Sequence, residues 1–280
     1  MTMLASSVSE HEFPQMLKKW RKQRRVSQLD FSLDAGISQK HLSFLESGRS
    51  KPSREMVMTI SEALELPLRE RNQLLHSAGF AQVYKQRALD NDEMSMVQDA
   101  LQMSLKHHEP YPAIVADRNW NLLMANDASL RLVGLVGEVE DVWQKVDPSG
   151  DKNVYRMTFS EHGMRPFISN WDEMAMHMMQ RLQRELSADP ENDYLAALHK
   201  EIAADFHYED KKIGLLGNPT PIAPILPMHM TVGDVTLKTF SMISSFGTAQ
   251  DITAEEIKVE TFFPGDAFTR VFFQRLAENG

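Results

Sequence analysis

The chain has 280 residues and a hydrophobic content of 42%, which is enough for two ordinary domains with buried cores. It contains no cysteine, so a disulfide framework, a thiolate metal site and a cysteine nucleophile are all excluded. The formal net charge of −9 is unevenly distributed: residues 12–80 hold twelve Lys/Arg against eight Asp/Glu, whereas residues 81–280 carry a net charge of −12. Only the basic N-terminal part therefore suits a polyanionic partner.

The sequence indicates neither a leader nor a membrane span. Residues 1–12 lack a basic stretch followed by an apolar one, and no apolar run approaches the roughly 18 residues needed to cross a bilayer. We therefore expect a soluble cytoplasmic protein that does not contact membranes.

Residues 12–80 have the pattern of five short helices joined by tight turns. Serines stand where helix N-caps are needed, and glycines stand where helices end. The first helix begins near Glu12, Ser27 caps a second over Gln28–Ala35 that ends at Gly36, and Ser38 caps a third that runs to Ser47 before Gly48. A fourth starts at Pro52-Ser53, and the fifth spans Leu68–Ser77.

The polar residues 81–96 are interpreted as an inter-domain linker, and the helix Val97–His107 as the start of a second domain. The later pattern favours an α+β domain whose helices stand between its second and third strands. The predicted strands are Ala113–Asp117, Trp120–Ala125, Ile225–Val232, Val235–Ser244 and Glu256–Phe263. The predicted helices are Asn126–Val133, Ser169–Leu186, Asp193–Asp205 and one capped by Asp266, and residues 137–150 and 206–223 are predicted loops.

The second and third helices have the spacing of a helix-turn-helix. Gly36 supplies the sharp turn, and apolar residues on both sides of it supply the faces that lock the helices together. The third helix then leaves polar side chains exposed that suit base edges in a major groove, whereas Phe44 is limited to apolar contacts such as a thymine methyl. The candidate DNA-binding residues on this helix are Ser38, Gln39, Lys40, His41, Ser43 and Phe44.

This N-terminal region resembles the XRE family of phage-repressor-like regulators. The resemblance rests on Arg21, Arg24-Arg25, Ser27-Gln28, Gly36-Ile37-Ser38, Glu46-Ser47-Gly48-Arg49 and Pro52-Ser53. It implies that Gln28 contacts the DNA backbone, that Gln39, Lys40 and Phe44 face bases, and that Arg49 and Lys51 bind phosphates. Five such helices also occur in protein-binding modules of antitoxin-like relatives, but the many matched positions over about 65 residues favour DNA binding by a domain spanning residues 12–80.

The second domain, residues 97–280, has the strand and helix order of a PAS-type sensor. Its segments Pro112–Trp120, Leu122–Asn126, Thr239–Ser241 and Glu260–Asp266 resemble those of MmyB-like regulators, which join an XRE domain to a PAS-like ligand-binding domain. The resemblance implies a bacterial transcription regulator of α+β multidomain fold, with an all-α helix-turn-helix domain and a five-stranded antiparallel sheet. It also implies an apolar effector such as a bound fatty acid, and no required cofactor.

Apolar residues recur on faces that would meet inside such a fold. The chain has 18 Met, and flexible methionine side chains suit adaptable apolar pockets, although an ordinary core that uses Met would show the same pattern. The candidate ligand-binding residues are Trp120, Leu122, Met124, Phe167, Trp171, Met174, Met178, Met228, Met230 and Phe240.

We find no catalytic or metal-binding motif in the sequence. Its histidines form no metalloprotease pair, and no nucleophile elbow or phosphate-binding glycine loop occurs. The preferred hypothesis is a regulator that binds a double-stranded DNA operator as a homodimer and senses an apolar small molecule. The alternative is a DNA-binding regulator whose C-terminal domain docks a protein, such as a sigma factor, and has no small ligand. A cavity of a few hundred Å³ would favour the first, and a fully packed domain the second.

Overall fold

The computed structural model describes residues 12–208, 225 and 227–278, and every structural statement below concerns these residues. They form two compact units. The N-terminal unit contains residues 12–91 together with Phe246–Glu255, and the C-terminal unit contains Asp92–Ser245 and residues 256–278. The domain limits given by the sequence remain predictions. Two parts of earlier predictions, the strand position Leu226 and most of the loop 206–223, lie outside the described residues.

The N-terminal unit contains the five predicted helices. They are α1 (Glu12–Gln23), α2 (Gln28–Asp34), α3 (Gln39–Glu46), α4 (Arg54–Ala63) and α5 (Leu68–Ser77). The hydroxyls of Ser27, Ser38 and Ser53 each accept a hydrogen bond from the first turn of the following helix. Gly36, between α2 and α3, has a φ of 64°, which glycine adopts without steric cost. The predicted caps and turn are confirmed.

Apolar side chains from all five helices form one core. Leu17, Leu42, Leu45, Ile60 and Leu74 are fully buried in it. Such burial contributes about 1.5–3 kcal/mol for each large aliphatic side chain, so tertiary packing rather than helix propensity stabilises these short helices.

A segment from far along the chain packs into the N-terminal unit. The carboxylate of Asp251 accepts a hydrogen bond from Arg87 Nη1 at 2.7 Å, and Thr253 Oγ1 donates to the Arg87 carbonyl at 2.6 Å. The carboxylate of Glu255 accepts from the backbone N–H of Leu68 at 2.7 Å. Pro67, the residue before α5, provides no side-chain cap, so Glu255 caps α5 from 187 residues away.

The C-terminal unit contains the predicted five-stranded antiparallel sheet. Its strands are β1 (Ala113–Ala116), β2 (Leu122–Ala125), β3 (Met228–Val232), β4 (Val235–Ser244) and β5 (Lys258–Pro264). Their order across the sheet is β2-β1-β5-β4-β3, so the first and last strands of the sequence pair at its centre. Gly233 lies in the tight turn between β3 and β4 with a φ of 57°, as the hairpin signal predicts.

Helices pack on the sheet and around its ends. They are α6 (Ser95–His107), α7 (Asp127–Gly134), α8 (Val139–Val146), α9 (Val154–Phe159), α10 (Trp171–Ala188), α11 (Asp193–Phe206) and α13 (Ala267–Glu278). The short helix α12 (Ile252–Glu256) lies almost wholly in the N-terminal unit. The predicted loop 137–150 is wrong because it contains α8. In this helix Val142, Trp143 and Val146 are buried at i, i+1 and i+4, which is a helical stripe flanked by Gly and Pro residues.

The predicted second strand is also wrong at its start, because Trp120 belongs to the turn rather than to β2. The carboxylate of Asp117 accepts hydrogen bonds from the backbone N–H groups of Asn119 and Asn121, which closes the turn. Trp120 has a φ of 67°, a left-handed conformation that is unusual for a bulky residue, and its side chain is fully buried.

Candidate nucleic-acid interface and ligand cavity

Helix α3 presents the polar surface that the helix-turn-helix spacing predicts. Ser38 accepts a hydrogen bond from His41 N at 3.2 Å, which fixes the N-terminal turn. Gln39 and Lys40 are exposed beyond it. Lys40 Nζ lies 5.7 Å from the ring centroid of Phe44, and the guanidinium of Arg49 lies 5.9 Å from the same centroid. Phe44 therefore holds one cation on α3 beside another in the following loop.

A buried carboxylate joins α3 to the two preceding helices. Glu46 accepts hydrogen bonds from Arg21 Nε at 2.6 Å, from Arg21 Nη2 at 3.0 Å and from Gln28 Nε2 at 2.7 Å. Burial alone would raise the pKa of Glu46, but the hydrogen bonds from Arg21 and Gln28 outweigh it and the pKa lies below its ordinary value. The carboxylate is therefore ionised at neutral pH, and it fixes the angle at which α3 is presented.

The C-terminal unit contains a partly open cavity of about 150 Å³ between the sheet and helices α7 to α10. Most of its wall is apolar, and aliphatic side chains from α7, Trp143 from α8 and Phe262 from β5 contribute to it. The flexible part of the wall consists of five methionines, Met157, Met164, Met174, Met178 and Met228. The volume is below the few hundred Å³ expected from the sequence and is similar to that of an apolar protein cavity that takes up benzene.

One part of the cavity wall is charged. Glu260 of β5 is 5% exposed, and its Oε1 accepts a hydrogen bond from Ser241 Oγ at 2.6 Å. Arg181 Nη1 of α10 lies 3.4 Å from the same oxygen, and Arg181 Nε donates to the hydroxyl of Tyr155 at 3.0 Å. Burial raises the pKa of Tyr155 to about 12 against the opposing effect of Arg181, so this phenol is neutral at physiological pH.

Two family models match the sequence, one over the region that contains α3 and the other over the region that contains the cavity. Residues 17–71 match the helix-turn-helix family, and residues 97–276 match the MmyB-like transcription regulator ligand binding domain. The second match alone covers well over half of the chain. The chain belongs to the MmyB-like transcription regulators. It is accordingly a DNA-binding transcription regulator with a helix-turn-helix region and a ligand-binding domain.

Other comparisons add little to this assignment. No curated protein matches this MmyB-like regulator. Among solved structures it is similar to the structure of an RNA-binding Light-Oxygen-Voltage receptor, with 12% identity and a TM-score of 0.26 over 96% of this chain. The regulator spans 63% of that receptor's chain, and the likeness is too weak to support an argument.

Half of the predicted ligand-binding residues of the regulator line the cavity. These are Leu122, Met174, Met178, Met228 and Phe240. A register shift between Val115 and Ala116 pairs Met124 with Val115, and Leu122 and Ala125 line the cavity instead. The other predicted residues that do not line it are Trp120, Phe167, Trp171 and Met230, which pack in the two hydrophobic clusters beside it.

Trp120 packs against the charged side chains of the cavity wall. The guanidinium of Arg181 lies 4.3 Å from the Trp120 ring centroid, and Lys258 Nζ lies 4.4 Å from it. The indole N–H donates to Glu185 Oε2 at 2.8 Å. Sequence reasoning missed Arg181 and Glu260, although an acidic residue in the middle of a predicted central strand is an available signal for a buried polar site.

Of the predicted DNA-binding residues, Ser38, Gln39, Lys40, Arg49 and Lys51 are exposed, whereas His41, Ser43 and Phe44 are half-buried. Gln28 lies apart from them on α2. The amide of Gln28 donates to Glu46, so one of its two N–H groups is already committed within the protein. Within the described ranges we find no group of His, Asp or Glu arranged to hold a metal ion, and no helix there is long and apolar enough to cross a membrane.

Proposed function

We propose that this transcription regulator binds an apolar small molecule in the cavity of its C-terminal unit, and that the bound molecule changes its affinity for operator DNA. The carrying observation is the predominantly apolar, partly open cavity with five methionines in its wall. Methionine side chains repack around different shapes, so the cavity suits an aliphatic ligand of variable length. A fatty acid or a derivative of one is the ligand class that the family resemblance suggests.

The cavity volume limits the ligand. About 150 Å³ accommodates a group of roughly benzene size without rearrangement, so a longer chain requires the methionines to move. An aliphatic chain of about eight carbons gains about 6 kcal/mol from burial at ~0.8 kcal/mol per CH2. Ordering the chain and restricting its motion take back several kcal/mol, which leaves about 2–4 kcal/mol from burial of the chain alone, equivalent to a dissociation constant of about 1–30 mM.

The chain itself provides a covalent route from the cavity to the DNA-binding unit. Strand β4 contributes Thr239 to the cavity wall and β5 contributes Glu260. The segment that connects these strands, Phe246–Glu255, is part of the N-terminal unit. There Asp251 pairs with Arg87 and Glu255 caps α5. A ligand that moves either strand would act through this segment on the residues that stabilise α5. It changes DNA binding only if it binds the two resulting arrangements with different affinities.

On the DNA side we assign base reading to Gln39 and Lys40 at the exposed start of α3. Phosphate contacts are assigned to Arg49 and Lys51 in the loop after α3, with Gln28 at the start of α2. Lys40 and Arg49 both lie near the Phe44 ring, so the proposed base-reading and phosphate-binding side chains are close to each other. His41, Ser43 and the Ser38 hydroxyl complete the proposed interface.

We propose a homodimer on the operator, because one recognition helix buries too little surface for high specificity and two half-sites lie about 34 Å apart in this class. The C-terminal unit offers an apolar surface for it. Met96 and Met103 on α6 and Met242 on β4 are exposed. Met103 and Thr261 line one surface depression, and Thr261 pairs with Met242 across the sheet.

The proposed function is tested with the full chain after removal of co-purified lipid. Thermal stability is measured with a panel of aliphatic acids and alcohols of four to fourteen carbons, beside the cavity-filling variant Ala125→Phe. The proposal expects stabilisation of the wild type by part of the panel and none in the variant. If no compound stabilises the wild type, the ligand proposal fails and the protein-docking reading of the C-terminal domain is preferred.

A further inference from the structure

Four of the six polar residues of the cavity wall come from two neighbouring strands and the helix opposite them. Thr239 and Ser241 are two residues apart on β4 and so lie on the same face of that strand. Glu260 lies on β5, and the register pairs Ser241 with Phe262 and Ile243 with Glu260. Arg181 of α10 faces them, with its Nη1 3.4 Å from Glu260 Oε1. The remainder of the wall is predominantly apolar, so this group defines one polar end of the cavity.

The charged side chains at the polar end of the cavity form ion pairs, so their charges cancel. Arg181 pairs with Glu260, and Lys258 Nζ lies 2.6 Å from Glu185 Oε2 beside the same tryptophan, Trp120. The cluster thus combines two cations with two anions. A carboxylate placed here would approach Arg181 but would add an uncompensated negative charge beside Glu260, where water is largely excluded. A neutral group that both donates and accepts hydrogen bonds meets no such repulsion.

A free hydrogen-bonding group is also present beside the cavity. Thr239 is 3% exposed, and its buried side-chain oxygen has no hydrogen-bond partner among the described residues. Buried hydroxyls are nearly always paired. Thr158 lines the same cavity and differs in this respect, because its hydroxyl donates to the carbonyl of Val154 at 2.9 Å.

From these contacts we infer that the effector carries one uncharged hydrogen-bonding head group, an alcohol or a primary amide, which binds at Thr239, Ser241, Glu260 and Arg181. Its aliphatic part lies against the methionines. An alcohol hydroxyl, or the N–H of an amide, donates to the Glu260 carboxylate, and the hydroxyl or amide carbonyl oxygen accepts from Thr239 or Arg181. The inference rests on the proposed function, since it concerns the head group of the ligand assigned to that cavity. It distinguishes a fatty alcohol or amide from a free fatty acid.

The test compares three probes of equal chain length, 1-octanol, octanamide and octanoate, by calorimetric titration of the lipid-stripped full chain at pH 7.5. We expect octanol and octanamide to bind at least tenfold more tightly than octanoate. Glu260→Gln removes the negative charge and keeps the side-chain shape, so octanoate should bind at least tenfold more tightly to this variant, with octanol changed less than threefold. Thr239→Val should weaken octanol about fivefold and should leave benzene binding unchanged.

Thr158→Val is the matched control, because it removes a hydroxyl that already has a partner; the ratio of octanol to octanoate affinity should stay as in the wild type. Equal or tighter binding of octanoate to the wild type, unaltered by Glu260→Gln, overturns the head-group inference while leaving the cavity as the ligand site. If benzene and all three octyl probes fail to bind the wild type, the proposed function fails as well.

Discussion

Replacing Glu46 with alanine should loosen the DNA-binding unit more than any surface substitution. The Glu46 side chain is 3% exposed and accepts three hydrogen bonds, two of them from Arg21, whose side chain is 10% exposed. Without Glu46, Arg21 keeps its bond to the Val26 carbonyl but becomes a largely buried charge without a counter-ion. Breaking a buried pair from one side costs about 3–5 kcal/mol, which is a large part of the stability of a small domain.

Hydrogen exchange of the full chain, followed by mass spectrometry, measures this loss of stability within the N-terminal unit itself. A loss of ~3 kcal/mol corresponds to roughly a hundredfold faster exchange of protected amides in α2 and α3. Glu62→Ala, at an exposed position on α4, is the control and should change exchange by less than threefold. Exchange in Glu46→Ala within threefold of wild type would refute the assignment of this carboxylate as the link between α1, α2 and α3.

The same carboxylate predicts the direction of the pH dependence. The folded-state pKa of Glu46 lies below its ordinary value, so its stabilisation is fully present above the unfolded-state pKa of about 4.3 and is lost as the pH falls through the folded-state pKa. Opening of α2 and α3 should therefore increase on acidification below about pH 4.3. Glu46→Gln should show a smaller increase, and an equal increase in both proteins would contradict the prediction.

Three further predictions concern the two binding functions. Lys40→Ala should cost about 1–3 kcal/mol of binding free energy on the operator and make the protein less selective among DNA sequences. Arg49→Ala should lower the affinity for all duplexes alike and reduce the slope of log affinity against log salt by about one unit. If Lys40→Ala lost equal affinity for operator and random DNA, Lys40 would be a phosphate ligand. Ala125→Phe should abolish octanol binding in calorimetry and keep operator affinity within about threefold, at an overpacking cost of about 1–3 kcal/mol. Asp251→Asn weakens the ion pair with Arg87. Octanol should bind this variant as it binds the wild type, but it should change the affinity for the operator less than twofold. If octanol changed operator affinity as much as in the wild type, this segment would be excluded as the route of coupling.

The N-terminal unit was predictable because its determinants are local. Ser27, Ser38 and Gly36 act within one helical turn of their own positions, and their spacing carries the helix-turn-helix geometry. The contacts between segments that are distant in the sequence could not be predicted in this way. Nothing near Glu255 in the sequence shows that it caps α5, since that contact depends on chain folding across 187 residues.

The cavity was only partly predictable, for reasons that concern β geometry. Strict alternation assigns Trp120, Leu122 and Met124 to one face, but the left-handed Trp120 and the register shift at Val115/Ala116 break that alternation. Charged residues are normally assigned to solvent, so Arg181 and Glu260 were not considered as wall residues. Their burial depends on a pairing between α10 and β5 that neither segment reveals on its own.

Operator affinity measured with and without a molecule in the cavity shows whether that molecule changes DNA binding. A duplex enriched from random sequence by the purified protein serves as operator, and its dissociation constant is measured with lipid-stripped full chain, with and without saturating 1-octanol at fixed salt. We expect the dissociation constant to change by about 5–150-fold, which is the usual range of allosteric coupling. An operator affinity within twofold in both conditions, with octanol occupancy verified by calorimetry, would contradict it.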